Sequence, residues 1–188
     1  NMAALHFHDL SLAKNNYFKQ IIKPLISSSF NINKLSNLQS KKDSKQQVTE
    51  RNIIDNIKTV FNHYNVCFEE SSVQQPYDFR NIGPSNSNFV IDFLEIKKTN
   101  SNIIYLNNII PTSGVKYIVF VTSKNNPRIL FLDGSELING SESWIYEYQT
   151  ALDKLKGTYV RGQNAANTSG IMQVNANLTY KADISSFT

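Results

Sequence analysis

The sequence predicts an α/β fold, with a central mixed β-sheet flanked by helices. Three observations predict it. Apolar residues recur at helical spacing over residues 53–64 and again over 144–155. Between those stretches lie short runs of β-branched and aromatic residues, parted by Gly, Pro, Asn and Ser. The resulting order is helix, three strands, a connection, one or two strands, then helix, which calls for a sheet at the centre.

At 188 residues the chain suits one domain over 1–188. Its divisions are an N-terminal helical arm (1–40), a core (41–158) and a polar β extension (159–188). A hydrophobic content of 40% with 11% aromatic residues is that of a folded chain. No apolar run approaches the roughly 18 residues of a membrane span, and the start lacks a signal-peptide layout, so no membrane partner is expected. Cys67 is the only cysteine, which excludes an internal disulfide and a cysteine-based zinc site and points to a reducing cytoplasm. A net charge of +4 and a pI near 9.1 permit a polyanionic partner without requiring one.

Each element follows along the chain. Over residues 9–27, Leu10, Leu12, Tyr17, Phe18, Ile21, Ile22 and Leu25 fit a helix, with Asp9 or Ser11 as cap and Pro24 disturbing the last turn. Residues 31–40 read as a polar connection. An amphipathic helix then runs to about His63, its stripe made by Ile53, Ile54, Ile57, Val60, Phe61 and Tyr64. Residues 65–70 and 73–82 read as two strands, 83–88 as a turn and 88–99 as the third strand. Residues 100–114 read as an irregular or short helical segment. Residues 115–121 make the best core strand, and 128–132 a fifth. Residues 141–156 read as a helix with Trp144, Ile145, Tyr148, Leu152 and Leu155 inward, ended by Gly157.

The third strand carries the chemistry. It is apolar, yet it ends in Glu95, Lys97 and Lys98. Alternation sets Phe93, Glu95 and Lys97 on one face and Leu94, Ile96 and Lys98 on the other. Buried charges are costly unless they pair, hold a metal or react. Asp78 precedes Glu95 by 17 residues (95 − 78), enough for a turn and a return strand, so antiparallel neighbours bring both carboxylates to one edge. Two hard oxygen ligands suit Mg²⁺, which keeps several waters and takes phosphate oxygens. Lys97 beside them can position or help deprotonate an attacking water, and the set suits metal-assisted attack on a phosphodiester. Taken alone, Glu-x-Lys is also what a solvated strand end carries, as an ion pair worth about 0–1 kcal/mol. Glu50 reads either as a helix-start carboxylate favoured by the dipole or as an acid aimed at the site. Asp92 falls on the opposite strand face and reads as structural.

Gln75-Pro76-Tyr77-Asp78-Phe79 and Phe93-Leu94-Glu95-Ile96-Lys97-Lys98, with the element order over 45–132, resemble the PD-(D/E)xK nucleases, most closely their type II restriction endonucleases. The resemblance covers roughly half the chain and implies a restriction-endonuclease-like αβββ-plus-β core. It implies that Asp78, Glu95 and Lys97 are catalytic, that Asp78, Glu95 and the carbonyl of Ile96 hold Mg²⁺, and that Glu50 matches the helical acid some members add. The implied protein is a sequence-specific endonuclease that hydrolyses double-stranded DNA in a prokaryotic cytoplasm, leaving a 5′-phosphate and a 3′-hydroxyl. A palindromic target would call for a homodimer. In this chain Tyr77 separates Pro76 from Asp78, where the motif has Pro and Asp adjacent. A repair nuclease or junction resolvase of the same fold is one alternative, and a non-catalytic DNA-binding module is another.

Candidate DNA contacts are Gln173, Asn175 and Asn177, a polar stripe at period two whose amides suit adenine edges, or equally a solvent-facing edge strand. Arg161, Gln163 and Asn164 lie in a Gly-flanked loop. Asn107 and Asn108 follow the third strand, while Asn86 and Asn88 lie between the two acid-bearing strands. Lys41, Lys42 and Lys45 read as a solvated face or as phosphate contacts. His6 and His8 lack a cysteine partner, and His63 reads as a favourable charge at a helix end. Gly134 and Gly140 match no phosphate-cradling spacing.

Overall fold

The computed structural model describes residues 2–31, 44–72, 77–107, 109–138, 145–154 and 179–188. Its centre is a five-stranded mixed sheet built from β1 (Cys67–Glu70), β2 (Phe79–Gly83), β3 (Ile91–Thr99), β5 (Val115–Val121) and β6 (Arg128–Asp133), in that spatial order. β3 and β5 run parallel, and the other neighbours are antiparallel. The fold is α/β, as the sequence predicts. β4 (Ile103–Asn107) and β7 (Thr179–Asp183) form a separate antiparallel pair.

Alternation along β5 divides the core in two. Ile118 and Phe120 join Leu94 and Ile96 of β3 under the helices. Those helices are α1 (Met2–Tyr17), a π-helical turn (Phe18–Ile22), α2 (Lys23–Ser29) and α3 (Ser44–His63). They supply Phe18, Ile22, Ile26, Ile53, Ile57 and Phe61. Tyr117, Val119 and Val121 face the other way, against Ile104 and Leu106 of β4 and Ala182 of β7. A strand with both faces covered has no use for polar alternation, which is why β5 is buried throughout.

Several boundaries differ from the sequence expectation, each for a local reason. α1 begins at Met2 rather than near Asp9. Pro24 does not break the N-terminal helix, because the chain widens into the π turn just before it. The Lys23 N–H bonds back to the Phe18 carbonyl, and Pro24 falls at the start of α2, where a missing N–H is tolerated. Tyr64 is exposed instead of completing the apolar stripe. α3 has ended by then: Asn65 takes a left-handed conformation (φ 56°), and the Val66 N–H closes on the Phe61 carbonyl at 2.8 Å, a Schellman-type stop. Tyr148 is likewise exposed in the helix over residues 145–154, where Ile145 is the buried residue.

Residues 103–107, expected as irregular or helical, form β4 because β7 supplies a partner from far along the chain. The second strand starts at Phe79, so Asp78 stands immediately before it rather than within it. Among the described residues, no helix is long and apolar enough to cross a membrane.

Candidate active site

The β2–β3 register brings the acids together. Phe79 pairs with Leu94 and Arg80 with Phe93, so the same register one residue further sets Asp78 beside Glu95. The connection between these strands is tight at Gly83, where a Cβ would lie 2.0 Å from the Asn88 carbonyl oxygen. Only a residue without a side chain permits that approach. Asp78 is pinned from the neighbouring strand, its Oδ2 accepting the Ile96 N–H at 2.8 Å. Glu95 is buried, and its Oε1 lies 2.6 Å from Lys97 Nζ. Alternation explains that pair: Glu95 and Lys97 are two apart on β3 and share a face, while Leu94 and Ile96 enter the helix-side core.

Electrostatics mark this cluster off from the rest of the molecule. Burial is the main reason the Glu95 carboxyl is drawn up to about 7, with the charges of Asp78 and Glu50 adding to it and Lys97 opposing. Burial also raises Asp78, against the Ile96 N–H, Lys97 and a hydrogen bond with Glu95. Glu50, half-buried on α3, is raised by burial and by Asp78, with Lys97 and Lys98 opposing. For Lys97 burial is the largest influence and works against the ammonium, but Glu95, Glu50 and Asp78 together outweigh it and raise its pKa. Glu50 therefore belongs to the electrostatic cluster, as an acid within reach of the site. Lys98, on the helix-facing side of β3, also feels Glu50, although burial lowers its pKa.

Three acids thus stand against Lys97 and Lys98, and burial raises all three. A divalent cation would relieve that arrangement. Among the described residues, no group of three or more His, Cys, Asp or Glu converges as a complete metal shell. The donor set is instead a pair of carboxylates, which fits Mg²⁺, since that ion fills most of its sphere with water and phosphate oxygens.

Asp92 behaves as a structural residue, pairing with Lys14 on α1 and lying outside the cluster. The DNA-contact candidates do not gather at the acids. Asn86 and Asn88 are exposed in the β2–β3 connection, at the opposite end of that hairpin from Asp78 and Glu95. Asn86 lines a shallow groove there with Asn62, Asn65, Cys67, Pro84 and Ser85. Asn107 ends β4, and its Oδ1 accepts a hydrogen bond from Thr179 at 3.1 Å. Asn108, Arg161, Gln163, Asn164, Gln173, Asn175 and Asn177 lie outside the described residues.

Two tyrosines lie beside the acid-bearing strand: sequence reading notes Tyr77 only as the residue parting Pro76 from Asp78 and gives Tyr117 no role. Tyr77 packs its ring on Phe93, with centroids 4.9 Å apart, and its hydroxyl is raised by burial and then by Glu95. Tyr117 is the β5 partner of Glu95 in the parallel register. The available signal was one hydroxyl-bearing residue among the aliphatic and aromatic residues of residues 115–121, but only the β3–β5 register aligns it with Glu95. Comparison of the chain with family models, with curated proteins and with solved structures found no match.

Proposed function

We propose that this chain is a Mg²⁺-dependent endonuclease with a PD-(D/E)xK-type core, hydrolysing double-stranded DNA at a short sequence as a type II restriction enzyme does. The observation that carries this reading is the juxtaposition of Asp78 and Glu95 across adjacent strands, with Lys97 2.6 Å from Glu95. Asp78, Glu95 and the Ile96 carbonyl would hold the cation. When bound, Mg²⁺ supplies Lewis-acid polarisation of the phosphate and a more acidic water. Lys97 orients the attacking water and balances the charge that develops on the phosphate. Glu50 adds a further carboxylate at the helix side. Water adds to phosphorus in line and the bond to the 3′-oxygen breaks, leaving a 5′-phosphate and a 3′-hydroxyl. Cleaving both strands of a palindrome calls for a homodimer, and the natural setting is a prokaryotic cytoplasm.

Digestion of a plasmid of known sequence with Mg²⁺, with Ca²⁺ as the non-cutting control, tests this. Discrete fragments are the expected result. Cutting only at branched DNA would replace the reading with that of a junction resolvase. Salt-sensitive binding without cutting in any metal would make the chain a DNA-binding module.

A further inference from the structure

The Tyr117 side chain is wholly buried, and its hydroxyl has no hydrogen-bond partner among the described residues. An enclosed hydroxyl without a partner is costly, and native structures rarely keep one without a purpose. Its surroundings narrow what that purpose is. Tyr117 aligns with Glu95 across the β3–β5 pair, and its hydroxyl is raised first by burial and then by Tyr77, Glu95 and Asp133. Asp133 is already served by Lys116 at 2.9 Å, by the Gly114 N–H at 3.0 Å and by the Ser135 N–H and hydroxyl at 3.0 and 2.7 Å. Glu95 is the acceptor with a reason to change partner. Its present donor is the Lys97 ammonium, and an ammonium at 2.6 Å repels any second cation placed on the same carboxylate. A neutral donor does not.

We propose that Tyr117 is a positioning residue of this site: its hydroxyl donates to the Glu95 carboxylate when that carboxylate serves a cation, in place of Lys97. Lys97 is then released to face the substrate phosphate. The proposal rests on the nuclease reading for the cation itself. Hydrogen bonds to a metal-bound carboxylate set its orientation and basicity, and losing one typically weakens metal affinity by 10–100-fold, here about tenfold.

The test is direct binding of Mn²⁺, as a paramagnetic stand-in for Mg²⁺, followed by electron paramagnetic resonance in wild type and Tyr117→Phe. Thermal unfolding of both cation-free proteins runs alongside. Weaker Mn²⁺ binding by about tenfold, with a cation-free Tm equal to or above that of wild type, supports the proposal. Equal Mn²⁺ affinity in the two proteins overturns it and leaves the nuclease reading standing. A lowered cation-free Tm also overturns it, because the hydroxyl would then serve the resting fold. Absence of Mn²⁺ binding in wild type overturns both.

Discussion

The backbone N–H of Ile96 donates a 2.8 Å hydrogen bond to Oδ2 of Asp78. The donor sits between Glu95 and Lys97 in the chain, so the carboxylate of one strand is fixed by the backbone of the strand carrying its partners. Asp78 therefore keeps its place although it precedes the first residue of β2.

This arrangement predicts which charges matter. Glu95→Gln and Lys97→Ala remove charges without removing core residues, and each should lower Mg²⁺-dependent DNA cleavage by at least about a hundredfold with the far-UV spectrum unchanged. Asp92→Asn breaks only the surface pair with Lys14. It should leave cleavage at the wild-type rate and change stability by less than about 1 kcal/mol. Near wild-type cutting by either of the first two variants would remove Glu95 and Lys97 from the chemistry.

Glu95 also sets a pH dependence of unusual sign. Its ordinary value is 4.5 and its folded value about 7, so between these the folded chain binds more protons than the unfolded one. Stability from this group is fully present below the unfolded value and is lost as pH rises through the folded value, by roughly 3 kcal/mol in all. Asp78 and Glu50 are raised too and act in the same direction. Urea unfolding in the presence of a chelator should show wild type losing more stability than Glu95→Gln between pH 5 and pH 8. Parallel profiles for the two proteins would contradict the burial argument.

Gly83 guards the register that aligns the acids. Gly83→Ala places a methyl against the Asn88 backbone carbonyl, which cannot swing away as a side chain would. The expected cost is about 1–3 kcal/mol in chemical denaturation, accompanied by loss of cleavage because Asp78 and Glu95 no longer align.

Arg128 is a buried cation with no carboxylate partner among the described residues. Its guanidinium donates to the carbonyls of Phe187 (2.9 Å), Asn126 (3.1 Å) and Ile184 (3.1 Å) and to Oδ1 of Asn102 (3.1 Å). Arg128→Ala leaves several buried acceptors unpaired and should destabilise the protein by about 2–4 kcal/mol, read from the denaturant midpoint. A change under 1 kcal/mol would mean that water replaces the guanidinium at little cost.

Much of this was legible in the chain and some was not, for physical reasons. The α3 stripe Ile53, Ile57 and Phe61 and the continuous apolar run of β5 are local patterns that burial enforces, so periodicity reveals them. Glu95 and Lys97 stood out because charges are rare at the end of such a strand. β4 was hidden, because Ile103 to Asn107 become a strand only by pairing with residues 179–183. The unbroken N-terminal helix was hidden too, since a π turn that accommodates a proline leaves no periodic mark. Tyr117 was hidden for a third reason: which residue of β5 lies beside Glu95 is set by the register between parallel strands, and that register is a property of the assembled sheet.

Two of the four acceptor residues of Arg128 are Ile184 and Phe187, and the partner of β4 is β7. A ribosome delivers Asp78, Glu95 and Lys97 long before it delivers those residues. Until they emerge, the guanidinium lacks two of its acceptor residues, and the layer that buries Tyr117 lacks one of its two strands. The acids are made early, and the layer over β5 is completed late. An interrupted translation product, or one clipped by a protease ahead of Ile184, would carry every residue of the site without the architecture that tunes it.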